Sequence, residues 1–503
     1  MRAALHLSIR RTVLPWLAGL AALVLAPAAP AAPVAPTRQP APARAPAAPV
    51  PAGPASSGPA SPASASSTPA SAASGLGLDG AWQLAKAHDP TYQAALSERD
   101  AGQANRALGR APLLPQISAS IGRNKTTGTL ESPSSSGGVV STDLDYIART
   151  NQIQLSQSLF DWSKIAGMRQ GNARADYSLA LFDTKARDTA TRLVSRYLQT
   201  LLSRQNVTLA ENRLAADEQN IDIARRRYQG GEGTVTDVEE ATSRRDLSRA
   251  DLIQARDALV VARRELQEMT GAPVLAIHDL APDFRPRPLD PPALEAWLAR
   301  AQAANADVQA GQQSLRVADR EVDKAFGGHL PTVGGVAYRS VNQSDSISTL
   351  NQESYLTAAG VQISVPIFSG GQTQAQVRQA RHNRDQTGHQ LEATREKVAV
   401  DTTRQYQGVV SGAERIAALE TAVNTSAQAL EAMRKSYIGG TRSITDILDA
   451  QDQLYKAQRD LIQARLQYVN ARIGLDAVAG ALDDAAIAAA ARTWFGSAAV
   501  PLD

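Results

Sequence analysis

Two carboxylates near residue 450 are the side chains of this sequence most suited to chemistry. Asp446 and Asp449 are three residues apart, and in a helix this spacing places both side chains on one face. Like charges held close together repel one another and attract cations. The alternative is structural, because acidic residues near a helix N-terminus interact favourably with the helix dipole, by about 0.3 kcal/mol or more each. On the residues alone, the structural interpretation is favoured.

Other reactive residue types form no recognisable site. The sequence has no cysteine, which excludes disulfides and thiolate chemistry. Its six histidines show no metal-ligand spacing, and we find no nucleophile motif or phosphate-binding loop. The histidines are His6, His88, His278, His329, His382 and His389. The sequence therefore predicts a protein that is not an enzyme and that holds no cofactor and no resident metal.

The two carboxylates lie in a segment that occurs twice. Residues 228–241 read YQGGEGTVTDVEEA and residues 437–450 read YIGGTRSITDILDA. In this alignment Tyr228 matches Tyr437 and Asp237 matches Asp446. Both copies lie between long stretches without proline. A repeated unit centred on a turn predicts a duplicated helical hairpin.

The duplication extends upstream of both turns. IQLSQSLFDWS at 153–163 matches VQISVPIFSGG at 361–371, and LLPQISAS at 113–120 matches HLPTVGGV at 329–336. Each half is therefore predicted to run helix, strand, loop, strand, long helix, turn, helix.

The predicted long helices are too long to be buried in a globule. At about 1.5 Å per residue, segment 161–228 would make a helix of roughly 100 Å, and segment 369–437 one of similar length. Helices of this length pair along their sides as coiled coils. Apolar residues at helical spacing after each turn are predicted to pack the hairpins, namely Leu252, Val260, Val261, Leu266, Leu461, Leu466, Val469 and Ile473.

The predicted strands alternate apolar and polar residues. In the first strand Ile117, Ala119 and Ile121 alternate with Gln116, Ser118 and Ser120. This alternation is typical of outer-membrane β-barrel strands and also of half-buried strands in soluble sheets. Four strands cannot close a barrel, so membrane insertion would require several chains.

Composition and the N-terminal segment restrict the class of protein further. Aromatic residues make up 4% of the 503 residues, and 52 Lys+Arg nearly balance 49 Asp+Glu. The charges are interspersed, which does not favour a nucleic-acid partner. Arg2, Arg10 and Arg11 precede a short apolar run and then small residues, a pattern typical of a signal peptide.

The sequence predicts five segments. Residues 1–32 are the signal peptide, and the Ala/Pro/Ser-rich residues 33–75 are a disordered linker. Residues 76–275 form the first structural repeat and residues 276–480 the second. Residues 481–503 form a C-terminal tail with no clear signal.

Residues 78–480 resemble the TolC family of outer-membrane exit ducts. The motifs that carry the resemblance are QLSQSLFDWSK, TVTDVEEA and SYIGGTRSITDILDAQDQLYKAQ. The resemblance implies a mainly α fold with a β-barrel part. Long antiparallel coiled-coil hairpins would form a trimeric periplasmic α-barrel, and four strands per chain would contribute to a 12-stranded barrel in the outer membrane. The implied function is a passive duct for type I protein secretion, of a toxin for example, or for drug efflux.

The resemblance also implies roles for particular residues. Asp446 and Asp449 would ring the narrowest point of the duct at its periplasmic end, a cation-selective constriction that divalent cations could block. Arg442 and Tyr437 would hold the closed state through contacts to the neighbouring hairpin, where Asp237 is the matching acid. Opening would break these contacts and uncoil the inner hairpins.

The two hairpin turns are expected to contact the partner proteins. By resemblance the partners are a periplasmic adaptor protein and an inner-membrane transporter, besides outer-membrane lipid. The turn residues that would contact the adaptor are Gly231, Glu232, Gly233, Gly440 and Thr441. Family turns commonly carry apolar residues after the glycine of the first turn, whereas this chain has Glu232 and Gly233. The alternative interpretation of the whole chain is a soluble periplasmic coiled-coil scaffold or adaptor.

Overall fold

The computed structural model describes residues 75–135, 137–346 and 349–502. The segments predicted as signal peptide and linker lie outside the described residues, except for residue 75. The first half contains α1 (Leu78–His88), α2 (Pro90–Gln103), α3 (Asn105–Arg110), β1 (Gln116–Pro133), β2 (Val139–Phe160), α4 (Trp162–Gln229) and α5 (Val235–Thr270). The second contains β3 (Ala276–Leu280), α6 (Leu294–Ala304), α7 (Ala306–Phe326), β4 (Thr332–Ser346), β5 (Thr349–Ser364), α8 (Gln372–Ile438), α9 (Ile444–Val478), α10 (Asp484–Trp494) and β6 (Phe495–Pro501). The predicted order of helices and strands is present in both halves.

The two long helices agree closely with their predicted bounds. Helix α4 has 68 residues and α8 has 67, which corresponds to roughly 100 Å each. Helix α4 begins where Asp161 accepts a hydrogen bond from the Lys164 backbone N–H at 3.1 Å. Each long helix forms an antiparallel hairpin with the shorter helix that follows it, α4 with α5 and α8 with α9. Within the described part of the chain, no helix is both long and apolar enough to cross a bilayer.

The hairpins pack through small and aliphatic side chains, as their composition predicts. Leu252 and Leu266 on α5 are buried, and so are Leu466, Val469 and Ile473 on α9.

Val260 and Val261, however, are exposed, and their predicted packing role is wrong in the single chain. Neighbouring residues on a helix point about 100° apart, and here both lie outside the face that meets α4.

Strands β1, β2, β4 and β5 form an antiparallel sheet in that order. Ile117 pairs with Leu155 and Gly335 with Val361, so these residues share one face, which is exposed and largely apolar. Gln116, Gln154 and Gln362 lie on the other face, along an open groove. The predicted alternation is therefore confirmed. In the described chain the sheet is open, because the outer edges of β1 and β5 have no strand partner.

A second, smaller sheet joins distant parts of the chain. It lies near the C-terminal end of α5 and beside the middle of α4, where the Tyr197 hydroxyl donates to the Leu76 and His278 carbonyls. Strand β3 pairs antiparallel with β6, and Leu76 bridges to Ile277 from the other side. Beside this sheet, Phe284, Tyr468 and Trp494 form an aromatic cluster. Residues 484–501, for which the sequence gives no clear signal, are thus folded into α10 and β6.

Candidate functional site

The two hairpin turns have nearly the same backbone geometry. In the first turn the Glu232 N–H donates to the Arg227 carbonyl at 2.9 Å and the Gly231 N–H donates to the Tyr228 carbonyl at 3.0 Å. In the second, Thr441 and Gly440 donate to Ser436 and Tyr437, both at 3.0 Å. Gly231 and Gly440 have φ angles of 76° and 73°. Both long helices therefore end in a Schellman motif, with glycine in the left-handed conformation.

The helix after each turn begins with a capping box. Thr234 and Asp237 exchange hydrogen bonds at the start of α5, and Ser443 and Asp446 do so at the start of α9. The Asp446 carboxylate accepts from the Ser443 backbone N–H at 2.9 Å and from its hydroxyl at 2.9 Å. These bonds, with the nearby Arg442 guanidinium, lower the pKa of Asp446. The structural role expected for an acid at a helix N-terminus is thus observed at Asp446.

Each of the two candidate constriction carboxylates lies near an arginine. The Arg442 guanidinium is 3.7 Å from Asp446 in the same turn. Asp449, one turn further along α9, accepts from Arg244 of α5 at 3.0 Å. Arg244 was not among the predicted site residues, because its role depends on how α5 lies beside α9. In the single chain the charge of both carboxylates is therefore partly compensated.

Tyr437 is held mainly by Arg227, which was not among the predicted site residues. The Arg227 guanidinium lies 4.4 Å from the centre of the Tyr437 ring and donates to the Tyr437 carbonyl at 2.6 Å. Burial raises the pKa of Tyr437; the charge of Asp237 acts in the same direction, and Arg227 opposes both.

The expected hydrogen bond between Tyr437 and Asp237 is not among those of the described residues. The Asp237 carboxylate instead accepts from the Thr234 N–H at 3.0 Å, within the capping box. Asp237 therefore acts on Tyr437 through its charge.

A line of polar contacts joins the α4–α5 hairpin to α9. We call this line the polar seam. Its contacts run along about two turns of α9, residues 445–452, beginning near the second hairpin turn. They join Thr445 to Glu240 (3.3 Å), Asp449 to Arg244 (3.0 Å), Gln451 to Asp217 (2.7 Å) and to Asn220 (2.8 Å), and Asp452 to Arg213 (2.9 Å). The seam fixes the start of α9, and with it both candidate constriction residues, against the first hairpin.

The residues predicted to contact an adaptor lie at the hairpin tips. Gly231, Glu232, Gly440 and Thr441 are exposed, and Gly233 is half-buried. Glu232 lies 3.8 Å from Arg227, so the departure from the family pattern in the first turn places an acidic side chain at the tip.

No group of three or more His, Asp or Glu side chains in residues 75–135, 137–346 and 349–502 could hold a metal ion. Depressions between helices and beside the sheet are open grooves.

Comparisons with known proteins identify the class. A family model described as "Outer membrane efflux protein" matches residues 81–272 and 297–481. The alkaline protease secretion protein AprF of Pseudomonas aeruginosa is 34% identical over 416 residues, which are 82% of this chain and 86% of AprF. The proteases secretion protein PrtF of Dickeya chrysanthemi is 30% identical over 433 residues, 85% of this chain and 93% of PrtF.

Solved structures agree with this class in fold. The structure of the outer membrane protein VceC from Vibrio cholerae aligns with a TM-score of 0.69 at 18% identity, covering 80% of this chain and 96% of VceC. Fold and matches together define a non-enzymatic channel of the outer membrane that extends into the periplasm. The chain belongs to the outer membrane efflux protein family. The alternative interpretation as a soluble periplasmic scaffold is therefore wrong.

Proposed function

We propose that this protein is the passive exit duct of a tripartite export system, and that it serves type I protein secretion in the first place and drug efflux as a second role. AprF and PrtF, at 34% and 30% identity, are both named for the secretion of proteases. The observation that carries the duct itself is the four-stranded sheet, which has one apolar exposed face and two unpaired edges. Such a sheet is suited to lipid only when its edges are closed by other chains.

Three chains would close this sheet. Successive strands in the order β1, β2, β4, β5 are antiparallel, so β1 and β5 run in opposite directions. The β5 edge of one copy can therefore pair antiparallel with the β1 edge of the next. Three copies of the four-stranded sheet would give a twelve-stranded barrel, continued by the long hairpins as a helical barrel of roughly 100 Å. The nearly equal lengths of α4 and α8, 68 and 67 residues, and the two matching turns support an origin of the two halves by duplication.

The gate of this duct would be the tip of the α8–α9 hairpin. In a trimer, Asp446 and Asp449 of three chains would form a ring of carboxylates that selects cations and binds divalent cations. Arg442, Tyr437 and Asp237 would stabilise the closed position, each exposed ionic contact contributing about 0–1 kcal/mol. Outward movement of three hairpins would break these contacts together.

The partners would be a periplasmic adaptor protein and an inner-membrane transporter. The exposed turn residues Gly231, Glu232, Gly440 and Thr441, together with Gly233, would contact the adaptor. Because Glu232 adds a negative charge to this surface, we expect a basic group opposite it on the adaptor.

Single-channel recording in planar bilayers tests the duct and its gate. Wild-type protein should give small cation-selective currents that divalent cations block. The Asp446→Ala/Asp449→Ala variant should conduct more and lose the block. An Asp222→Ala/Asp257→Ala variant removes the same charge from exposed positions on α4 and α5 and should behave like wild type. Failure of the wild-type protein to insert or conduct would refute the proposal.

A secretion assay tests the cargo class. Cells that lack this protein should retain the protein substrate of the type I transporter, and complementation should restore it to the medium. A loss of drug resistance with unchanged protein secretion would instead assign the duct to efflux.

A further inference from the structure

Part of the polar seam is buried, in contrast to the exposed ion pair between Arg442 and Asp446 at the hairpin tip. Asp217 on α4 is only 3% exposed, and Asn220, Ser248 and Gln451 are buried around it. We call these four residues the buried node. The Gln451 amide donates to Asp217 Oδ1 at 2.7 Å, and the Ser248 hydroxyl donates to Asp217 Oδ2 at 2.5 Å. Asn220 donates to Gln451 Oε1 at 2.8 Å.

The node depends on α9 for its completion. Asp217 and Asn220 lie on α4 and Ser248 on α5, so three of its members belong to the first hairpin. Gln451 alone comes from α9, and it satisfies both Asp217 and Asn220. A buried carboxylate or amide that loses its partner costs far more free energy than an exposed one, because water cannot replace the lost hydrogen bond at once. Displacement of α9 would therefore leave two polar groups of α4 unsatisfied until water enters.

The node lies close to the proposed constriction. Gln451 follows Asp449 by two residues and Asp446 by five, which is a rise of about 3 Å and 7.5 Å along α9. The next residue of α9, Asp452, forms the Arg213 ion pair at 2.9 Å. A helix held at residues 451 and 452 cannot change the position of its first turn without bending or breaking these bonds.

We propose that Asp217 and Gln451 are positioning residues of the gate: they hold α9 against the α4–α5 hairpin and must separate when the duct opens. This inference rests on the proposed function, since it assumes that the α8–α9 hairpin moves. It adds a buried set of contacts to those at Arg442, Tyr437 and Asp237. The Arg442–Asp446 ion pair at the tip is open to solvent, whereas the node, like the buried Tyr437 ring, excludes water in the closed state.

The proposal predicts a defined pH dependence. The node is faced by Arg213 and Asn220 from α4, Ser248 and Arg244 from α5, and Gln451 and Asp452 from α9. Burial raises the pKa of Asp217, and the Ser248 bond, Arg213, Gln451 and Arg244 only partly offset this.

The closed node therefore binds a proton more tightly than an Asp217 side chain in water. By linkage, acid favours the closed state, and a rise of pH through the raised pKa favours opening. Protonated Asp217 can donate from Oδ2 to the Ser248 hydroxyl and still accept from Gln451 at Oδ1, so the acid form keeps every bond.

Bilayer recording of node variants tests the inference. Asp217→Ala and Gln451→Ala should increase the ratio of open to closed time about tenfold, which corresponds to about 1.4 kcal/mol. Asp217→Asn mimics the protonated acid and should stay closed while losing this part of the pH dependence. Gln451→Glu places a second carboxylate beside Asp217 and should leak at neutral pH and close again in acid. Asp222→Ala, an exposed acid on α4, is the matched control and should resemble wild type.

A reversible cross-link separates gating from folding defects. The chain has no cysteine, so Asn220→Cys/Gln451→Cys carries only the two introduced thiols. A short bis-methanethiosulfonate reagent should close this channel, and a reductant should open it again in the same bilayer.

Each failure has a separate meaning. The inference would be overturned if the node variants behaved like wild type while the Asp446→Ala/Asp449→Ala variant conducted more than wild type. That result would leave the proposed duct intact. A linked channel that still opens would also overturn the inference. Absence of any wild-type channel would refute the proposed function instead.

Discussion

The two hairpin turns share a backbone but differ in burial. Tyr228 in the first turn is 51% exposed, whereas Tyr437 at the matching position is 5% exposed. Val235 is 55% exposed, and its counterpart Ile444 is 0% exposed. Both turns nevertheless have the same Schellman bonds, the same positive φ at glycine and the same capping box. Local sequence determines the backbone of the turn, and its surroundings determine which side chains are buried.

The difference comes from the side chains around the second turn. Five buried residues there form a tip cluster, namely Leu430, Tyr437, Ile444, Ile447 and Leu448. Arg227 then covers the Tyr437 ring from the first hairpin. The first turn has a smaller buried cluster of Ile221, Ala224 and Ala241, which leaves Tyr228 and Val235 exposed. The second turn is therefore the more deeply buried of the two.

Truncation of matching apolar residues should show the largest contrast between the turns. We expect Ile444→Ala to reduce the local stability of the second turn by about 2–5 kcal/mol, because it leaves a cavity in the tip cluster. Val235→Ala should change the first turn by about 0.5 kcal/mol or less, since the side chain is exposed. Amide hydrogen exchange of residues 228–241 and 437–450 in detergent measures both. Equal effects at the two sites would contradict the comparison.

Removal of the cover over Tyr437 should have the next largest effect. Arg227→Ala loses a hydrogen bond from a charged donor, worth about 1.5–3 kcal/mol, and a cation–π contact. Exchange of the second-turn amides should accelerate accordingly, with a smaller change in the first turn. Arg226→Ala is the matched control, because that side chain is exposed. If both variants have the same effect, net charge rather than the Tyr437 contact is responsible.

Substitution of the left-handed glycines should affect the two turns equally. A Cβ at Gly231 or Gly440 would have no heavy atom within 4 Å, so only backbone strain opposes alanine there. Each substitution should cost about 1–2 kcal/mol, measured as exchange of the turn amides. Gly230→Ala and Gly439→Ala, where φ is −77° and −74°, are the controls and should cost less. Unequal costs would show that burial alters the backbone as well.

The smallest expected effect concerns the charge of Arg442, which has no counterpart in the first turn. The pKa of Asp446 is lowered by the Ser443 bonds and Arg442, so this stabilisation is present above the ordinary value of 3.8 and is lost as pH falls through the lowered pKa. Gly233 occupies the position in the first turn that Arg442 occupies in the second. We therefore expect Arg442→Gly to weaken the acid sensitivity of the second turn slightly, and Asp446→Asn to abolish it. Exchange rates corrected for the intrinsic effect of pH measure this, and an unchanged pH profile in Asp446→Asn would refute it.

The sequence predicts the local features of this fold well. The bounds of α4 follow from the absence of proline and from Asp161 and Gly230 at its ends. The alternation in β1 and β5 and the matching turns are also readable, because each depends on residues close together in the chain. The dipole interaction predicted for Asp446 follows from such local rules, and so does its pairing with Ser443 in a capping box.

Contacts between hairpins were not predictable in the same way. Arg227, Arg244 and Asp217 meet residues more than 200 positions away, and their partners depend on the rotation and register of packed helices. The run of three arginines at 225–227, just before the first turn, indicates a basic side chain at the contact between the hairpins. For Val260 and Val261 the sequence predicted a packing contact that the single chain does not contain. Periodicity identifies an apolar face but does not state which neighbour covers it.

The small β3–β6 sheet determines when folding can finish. Leu76, β3 and β6 come from three regions of the chain, and β3 and β6 are separated by more than 200 residues. The Leu502 N–H also donates to the Leu275 carbonyl at 2.9 Å. Closing so large a loop costs entropy before its hydrogen bonds return any, so this sheet forms late. The α4–α5 and α8–α9 hairpins can form early, because they are local structures. The β3–β6 sheet can form only after residues 495–502 have entered the compartment where the protein folds.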